Sequence, residues 1–486
     1  MRPHVRFLSD ELLQQILDEA RDLLDAVGVE IHNPAVVDLL HAGGARVDAA
    51  TGRVHLPGDL VDRALATAPA AFRLYDATGE ATHAFGSGEV YFTPGSAAIY
   101  ILDEATHAVR HPVTADYVRY AKLVSRLPHI ASQSTAMIAA DVHEQIGDSY
   151  RLYLSLLYCE KPVITGAFSA EGFPVMRDLL VAARGSAESL RERPLAVFSC
   201  CPTAPLKWSG ATSQNVVDCA RAGIPVEYVS MPLAGFMAPV TLTGSLVQHT
   251  AETLSGIVIS QLAAPGAPAL YGGSPAIFDV RYETTPMGAI ETMMMDCAYS
   301  EIGHRLGLPT QGYIGLSDAK LLDAQAGWET GIGATLAALA GIDSVSGPGM
   351  LDFESCQSLE KLVVDNEICA MARRLRAGIE PREDFPAAPL FQELFREGHL
   401  LIAAHTRRHL RHEHLFPGPV VDRAQRSRWL EEGSRPLGER ARAEVARHLA
   451  AWEPVRLPAE AQAALTERMS AEARRFGMDR LPDHAG

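Results

Sequence analysis

Polar side chains crowd one turn of the stretch GYIGLSDAKLLDAQAGWE (312–329). There Ser317, Asp318, Lys320, Asp323, Gln325 and Glu329 follow a short apolar run and lead into a helical pattern. Ionised groups at the end of a buried strand are costly unless they meet solvent, a partner or a ligand. Binding and catalysis also concentrate on loops that a rigid scaffold holds in place. Asp279 and Arg281, in YGGSPAIFDVR (271–281), form a second such group, and the planar fork of arginine suits a carboxylate held by two hydrogen bonds. Asp318 and Asp323 each precede a helical pattern, so a helix N-cap competes with a functional role. Phe92, Tyr271, Phe278 and Tyr313 lie in or just after apolar runs and offer ring faces to a cation that cannot donate a hydrogen bond. Each such contact is worth about 0.5–2 kcal/mol, although the same rings serve equally well as core. Lys320 invites comparison with Schiff-base lysines, but it follows its strand by several residues and reads as solvated loop. His405, His409, His412 and His414 include an i, i+4 pair without an HExxH motif, and read as a basic helical segment before a zinc site.

The elements that position these residues recur along the middle of the chain. EVYFT, HIASQSTAM, PVITGAF, LAVFSC, PVEYVSM, ALYGGS, TQGYIGL and DSVSGPG are short apolar or β-rich runs, each followed by a helical pattern. They start at intervals of roughly 30 to 45 residues, the length that parallel strands need when helical crossovers join them. Eight such units predict an α/β fold of the closed (β/α)8 barrel type, in which active sites lie at the C-terminal ends of the strands. Thr93, Ser96, Gln133, Thr135, Ser199, Ser230, Ser274 and Ser317 collect on that side. An open doubly wound sheet is the competing architecture, but neither a GxGxxG fingerprint nor a P-loop supports nucleotide binding. Residues 1–85 read as an N-terminal helical and hairpin lead-in, 86–380 as the barrel, and 381–486 as a charged, mainly helical extension.

The formal net charge of −16 over 486 residues argues against nucleic acid, whose phosphates demand a clustered basic face. No signal-peptide core opens the chain and no apolar run reaches membrane-spanning length, so the expected location is cytoplasmic, without a membrane partner. Seven cysteines, none spaced as CxxC, fit a reducing compartment.

The stretch 312–329, read with MPLAGFMAPVTLTGSLVQHTAE (231–252), 271–281 and SLEKLVVDNEI (358–368), resembles the trimethylamine methyltransferase family. The likeness spans most of the chain, in several separated motifs in the right order. It implies a barrel with extra helices that moves a methyl group from a methylated amine to the cobalt(I) of a corrinoid carried by a partner protein. It also implies a homo-oligomer with no tightly bound cofactor or metal of its own. The sequence contains only standard residues and no pyrrolysine. It therefore resembles the members acting on glycine betaine and related quaternary amines, rather than those using pyrrolysine on tertiary amines. On this reading Phe92, Tyr271, Phe278 and Tyr313 cradle the ammonium, while Arg281, Ser274 and Gln325 hold the substrate carboxylate. Asp318, Asp323 and Glu329 are the catalytic candidates, ordering the loop or balancing the cation with Ser317 and Asp279 beside them. His405, which matches the family's C-terminal region, closes over the mouth. Tyr282 and Glu283 depart from the family pattern beside that pocket. Two other readings are a barrel lyase or isomerase that binds a phosphorylated substrate at the SGPG turn, and a non-catalytic quaternary-amine binding protein.

Overall fold

A computed structural model describes residues 2–484. Each of the eight apolar runs contains a parallel strand: β1 (Tyr91–Thr93), β2 (Gln133–Ser134), β3 (Val163–Thr165), β4 (Ala196–Cys200), β5 (Val226–Ser230), β6 (Ala269–Gly273), β7 (Gln311–Tyr313) and β8 (Ser344–Ser346). Each also leads to one helix of comparable position: α1 (Thr114–Arg126), α2 (Gly147–Tyr158), α3 (Gly172–Arg184), α4 (Gly210–Ala222), α5 (Leu242–Ala263), α6 (Ile290–Arg305), α7 (Ala324–Ala340) and α8 (Leu359–Ala377). The result is an α/β fold. β2 to β6 form one five-stranded sheet in chain order, and β7, β8 and β1 form a second, with every pairing parallel. Backbone hydrogen bonds also run between the sheets, from Tyr271 N to Pro309 O (2.8 Å) and from Ala131 N to Phe92 O (2.8 Å).

The strands are buried on both faces, which is why they read as continuous apolar runs rather than as alternating ones. Side chains facing the helices merge into the main core, whereas Ile164, Val197 and Leu270 face inward and meet a separate small cluster. That cluster is completed by Leu74 and Phe85 from the hairpin Phe72–Tyr75/Ala81–Phe85. The hairpin is tied down by hydrogen bonds from Tyr75 N to Pro194 O and from Gly86 N to the Asp343 carboxylate, each acceptor lying just before a strand. It therefore covers the N-terminal ends of the strands. Close packing on the outside depends in one place on glycine: a Cβ on Gly333 of α7 would lie 1.8 Å from the carbonyl oxygen of Ile314.

The N-terminal helix Asp10–Ala26, capped by Ser9, packs against α5. Beyond α8, Leu437–Ala450 packs on α8 and α1, and Ala459–Arg475 on α2 and α3. The intervening helices Ala388–Glu397, Ala404–Glu413 and Arg426–Glu431 have no buried residue. At the C-terminal ends of the strands two further hairpins, Tyr100–Asp103/Ala108–Arg110 and Met350–Leu351/Cys356–Gln357, join through a parallel pairing of Cys356 with Tyr100. They make a four-stranded roof that the sequence does not predict. Among the described residues no helix is long and apolar enough to cross a membrane.

Phe85 is essentially inaccessible in the small inner cluster. Phe85→Ala should therefore lower the free energy of unfolding by about 3–5 kcal/mol, the range for large aromatic truncations in a core. Urea denaturation of both proteins tests this, and a loss below about 1 kcal/mol would show that the hairpin does not seal the strand ends.

Candidate functional site

A cavity of about 350 Å³ opens at the C-terminal ends of the strands. The strand register determines which side chains reach it. Ser199 pairs with Glu227, and Glu227 with Leu270, so these three share the inward face that Val197 and Leu270 already mark. One or two steps further along each strand, the same face presents Ser199, Val229, Ser274 and Tyr313 to the cavity. Glu354 enters from the roof hairpin, and Arg151 and Phe168 complete the lining.

Two carboxylates dominate the electrostatics. Glu227 lies fully buried behind Ser199, whose hydroxyl donates to its Oε1 at 2.6 Å, and its Oε2 has no partner. Burial pushes its carboxyl up to about 7. Glu354 accepts a hydrogen bond from Ser96 N at 3.3 Å, and burial followed by the charge of Glu227 pushes it up to about 8. Neither has an ion-pair partner among the described residues. Tyr313 is held well above the usual phenol range by burial and then by these two carboxylates. Gln311 adds a buried amide nitrogen without a partner, in space that exists because residue 272 is glycine: a Cβ there would lie 2.4 Å from the Gln311 amide oxygen. Glu227 and Glu354 thus lack a positive partner, while Gln311 holds a donor in reserve.

Arg151 is buried, donating to Thr135 O (3.0 Å) and pairing with Asp148 (2.7 Å). Its guanidinium lies 5.0 Å from the Phe168 ring centroid, and its Nε has no partner. The roof that carries Glu354 is strained. Asp352, Phe353 and Glu354 take φ values of 50°, 54° and 70°, a left-handed run that costs non-glycine residues about 1–2 kcal/mol each.

The polar turn after β7 builds a bracket. Glu329 accepts from Ser317 Oγ (2.5 Å), Asp318 N (2.9 Å) and Gln325 Nε2 (2.9 Å), while Asp318 accepts from Met287 N (3.0 Å) and Gly288 N (2.8 Å). Burial, with Glu329 nearby, pushes Asp318 up to about 6. Asp323 caps α7 by accepting from Ala326 N. These residues come together with one another, and the cavity lining includes none of them.

Of the other residues singled out from sequence, Tyr313 and Ser274 line the cavity. Phe92 is fully buried in the main core, and Tyr271 turns toward the helices, where its hydroxyl donates to Thr250 of α5 (3.0 Å). Phe278 stacks on exposed Phe236 with centroids 4.9 Å apart. Arg281 is exposed and forms a double hydrogen bond to Asp279, which it holds down at about 2. His405 lies in Ala404–Glu413 with Asp384 and His409 as its neighbours. Sequence reasoning missed Glu227, Glu354 and Arg151. For Glu227 the signal was available, since it is the one charged residue inside the otherwise uncharged run PVEYVSM.

A carboxyl raised by burial gives up its proton later in the folded chain than in the unfolded one. Its contribution therefore destabilises progressively as pH rises from the unfolded value of about 4.3 through the folded one. Glu227→Gln should accordingly raise the thermal midpoint at pH 8 while changing it little at pH 5. Calorimetric scans at both values test this, and equal effects at the two would refute the assignment.

Comparison with known proteins bears on this site. A profile of the trimethylamine methyltransferase (MTTB) family matches residues 1–477. The chain is 29% identical over 472 residues to the trimethylamine methyltransferase MttB of Desulfitobacterium hafniense (strain DSM 10664 / DCB-2), covering 97% of this chain and 95% of the relative. It is 31% identical over 452 residues to MttB of Methanosarcina barkeri, covering 90% and 89%. To the glycine betaine methyltransferase of Desulfitobacterium hafniense (strain Y51) it is 27% identical over 478 residues, covering 98% of each. The crystal structure of the Methanosarcina barkeri monomethylamine methyltransferase (MtmB) shares the fold, with a TM-score of 0.53 at 10% identity over 98% of this chain and 89% of that one. The chain belongs to the trimethylamine methyltransferase family and is an enzyme of the methyltransferase type.

Proposed function

We propose that the protein is a closed (β/α)8 barrel that demethylates a small quaternary amine, glycine betaine or a near relative, without pyrrolysine. The methyl acceptor is the cobalt(I) of a corrinoid on a partner protein. The observation that carries this reading is the pair Glu227, behind Ser199, and Glu354, in the lining: neither has an ion-pair partner, and the one cation of the lining, Arg151, is already paired with Asp148. A quaternary ammonium supplies the missing charge, needs no acceptor for an N–H bond, and gains from the ring of Tyr313 on the same wall. Arg151, with Ser274 and Thr135 at the rim, then faces the carboxylate end of a betaine.

A quaternary nitrogen leaves as a neutral tertiary amine, so its methyl group is already electrophilic and the cobalt(I) supplies the nucleophile. What this chain contributes is alignment and exclusion of water. Once the methyl has gone the amine is uncharged, so Glu227 and Glu354 lose their counter-charge and rebind protons, which weakens the hold on the product. Phe168, Met231 and Phe236 are exposed apolar residues around this end of the strands and suit the approach of the corrinoid protein. The SGPG turn does not suit phosphate: the N–H of Gly349 is already taken by the buried carboxylate of Asp365.

In the same reading residues 1–85 seal one end of the 86–380 barrel, and 381–486 supply the self-association surface of a cytoplasmic homo-oligomer. Phe385 and Phe395 are more than four-fifths exposed there. A phenylalanine at that exposure gains by covering.

The test is anaerobic mixing of the protein, a corrinoid protein reduced to cobalt(I) and a panel of quaternary and tertiary methylamines, followed by visible absorbance. Methyl-cobalt should form with one betaine and not with trimethylamine. Formation with trimethylamine alone, or with no amine when the corrinoid protein is methylated competently by another enzyme, would refute the proposal. Because the cation favours both carboxylates in their ionised form, affinity for the betaine should rise with pH between 6 and 9. Binding should also release protons, which titration calorimetry in buffers of different ionisation enthalpy detects.

A further inference from the structure

Lys320 stands outside the cavity, three-fifths exposed, yet it makes three contacts at once. Its Nζ donates to the carbonyl of Asp318 (2.8 Å), pairs with the Asp352 carboxylate (3.1 Å) and sits 3.8 Å from the centroid of the Phe353 ring. Asp352 N also donates to Ala319 O (2.9 Å), so the turn after β7 and the roof hairpin are joined by backbone as well as by side chain. Asp352 and Phe353 are the first two residues of the left-handed run whose third is Glu354. Such a run persists only where its surroundings over-determine it. Its own bonds, from Ser355 N and Oγ back to Asp352, are local and would travel with the turn. From outside, backbone N–H groups reach Glu354 (Ser96) and Ser355 O (Ile99 and Tyr100), and Lys320 is the side chain that meets Asp352 and Phe353.

We propose that Lys320 is a positioning residue, clamping the strained turn Asp352–Phe353–Glu354 so that the Glu354 carboxylate stays in the cavity. The inference rests on the quaternary-amine reading for its functional consequence. It also accounts for the bracket at 317–329. Glu329 and Asp318 fix that turn to α7 and to the segment before α6, and Lys320 transmits the fixed position to the roof. The clamp is ionic on one side and aromatic on the other, a combination a planar guanidinium reproduces and a thioether does not.

The groups that share the interior with Glu354 are Glu227 on β5, Tyr313 on β7, Cys201 after β4 and the Asp148-paired Arg151. All of them are retained in the variants that test the clamp. Infrared difference titration of the protonated carboxyl band that Glu354→Gln removes follows Glu354 directly. In the native protein the band should disappear near pH 8. Lys320→Met and Asp352→Asn, each with a thermal midpoint close to native, should both lower the titration midpoint by one pH unit or more, because a released Glu354 reaches water. They should weaken glycine betaine about tenfold, whereas Lys320→Arg should stay near native in both measurements. An unchanged titration of Glu354 in Lys320→Met and Asp352→Asn would overturn the clamp. Failure of glycine betaine to bind even the native protein would instead overturn the substrate reading, and the titration would still decide the role of Lys320.

Discussion

A carboxylate taken out of water needs a positive partner, and the two at the cavity have no ion pair. Glu354 lines the cavity and Glu227 stands behind its Ser199, one from a loop nearly 130 residues after the strand that carries the other. In a protein built only for stability such a pair would be replaced, since apolar side chains of similar volume carry no desolvation cost. On the proposed reading their presence makes the site a receptor for positive charge, and the surrounding contacts are what keep them there. The β4–β5 register sets Ser199 against Glu227. The Lys361–Asp365 pair, fully buried, anchors the turn after β8 from which the roof departs.

The charged groups come from elements of different rigidity. Strands β4 to β7 supply a rigid floor whose backbone is hydrogen-bonded on both sides and which carries Glu227, while the roof and α2 add Glu354 and Arg151. The one run of three successive left-handed non-glycine residues among the described residues lies in the roof, and it is offset by contacts to the turn at 317–329. Precision is needed most at Glu354, since a half-buried carboxylate on a loop is only as fixed as the groups that hold the loop.

The strands were legible because parallel strands covered on both faces must be apolar throughout, and eight such runs at crossover spacing leave little choice of fold class. The roof was not, because its strands are two to four residues long and acquire their pairing only when segments near residues 100 and 356 meet. The polar turn at 317–329 does serve a purpose, but its side chains satisfy one another, and sequence cannot distinguish a carboxylate facing a ligand from one facing a backbone N–H. Arg281 shows the same limit: its fork closes on Asp279 two residues away, a local pairing that outcompetes a distant one. Glu227 was visible as a lone charge, but its direction was not. PVEYVSM reads as a strand, and only the strand register shows that its single charge points inward.

The central claim is that the cavity binds positive charge rather than bulk. Glycine betaine and 3,3-dimethylbutanoate have the same shape and the same carboxylate, but the second carries carbon in place of the charged nitrogen. Their dissociation constants, measured by calorimetry at pH 8.5 with the native protein and with Glu227→Gln/Glu354→Gln, test the claim most directly. The account predicts that betaine binds the native protein at least tenfold more tightly, a difference of about 1.4 kcal/mol, and that the preference disappears in the double variant. Equal affinity of the two ligands for the native protein would contradict it.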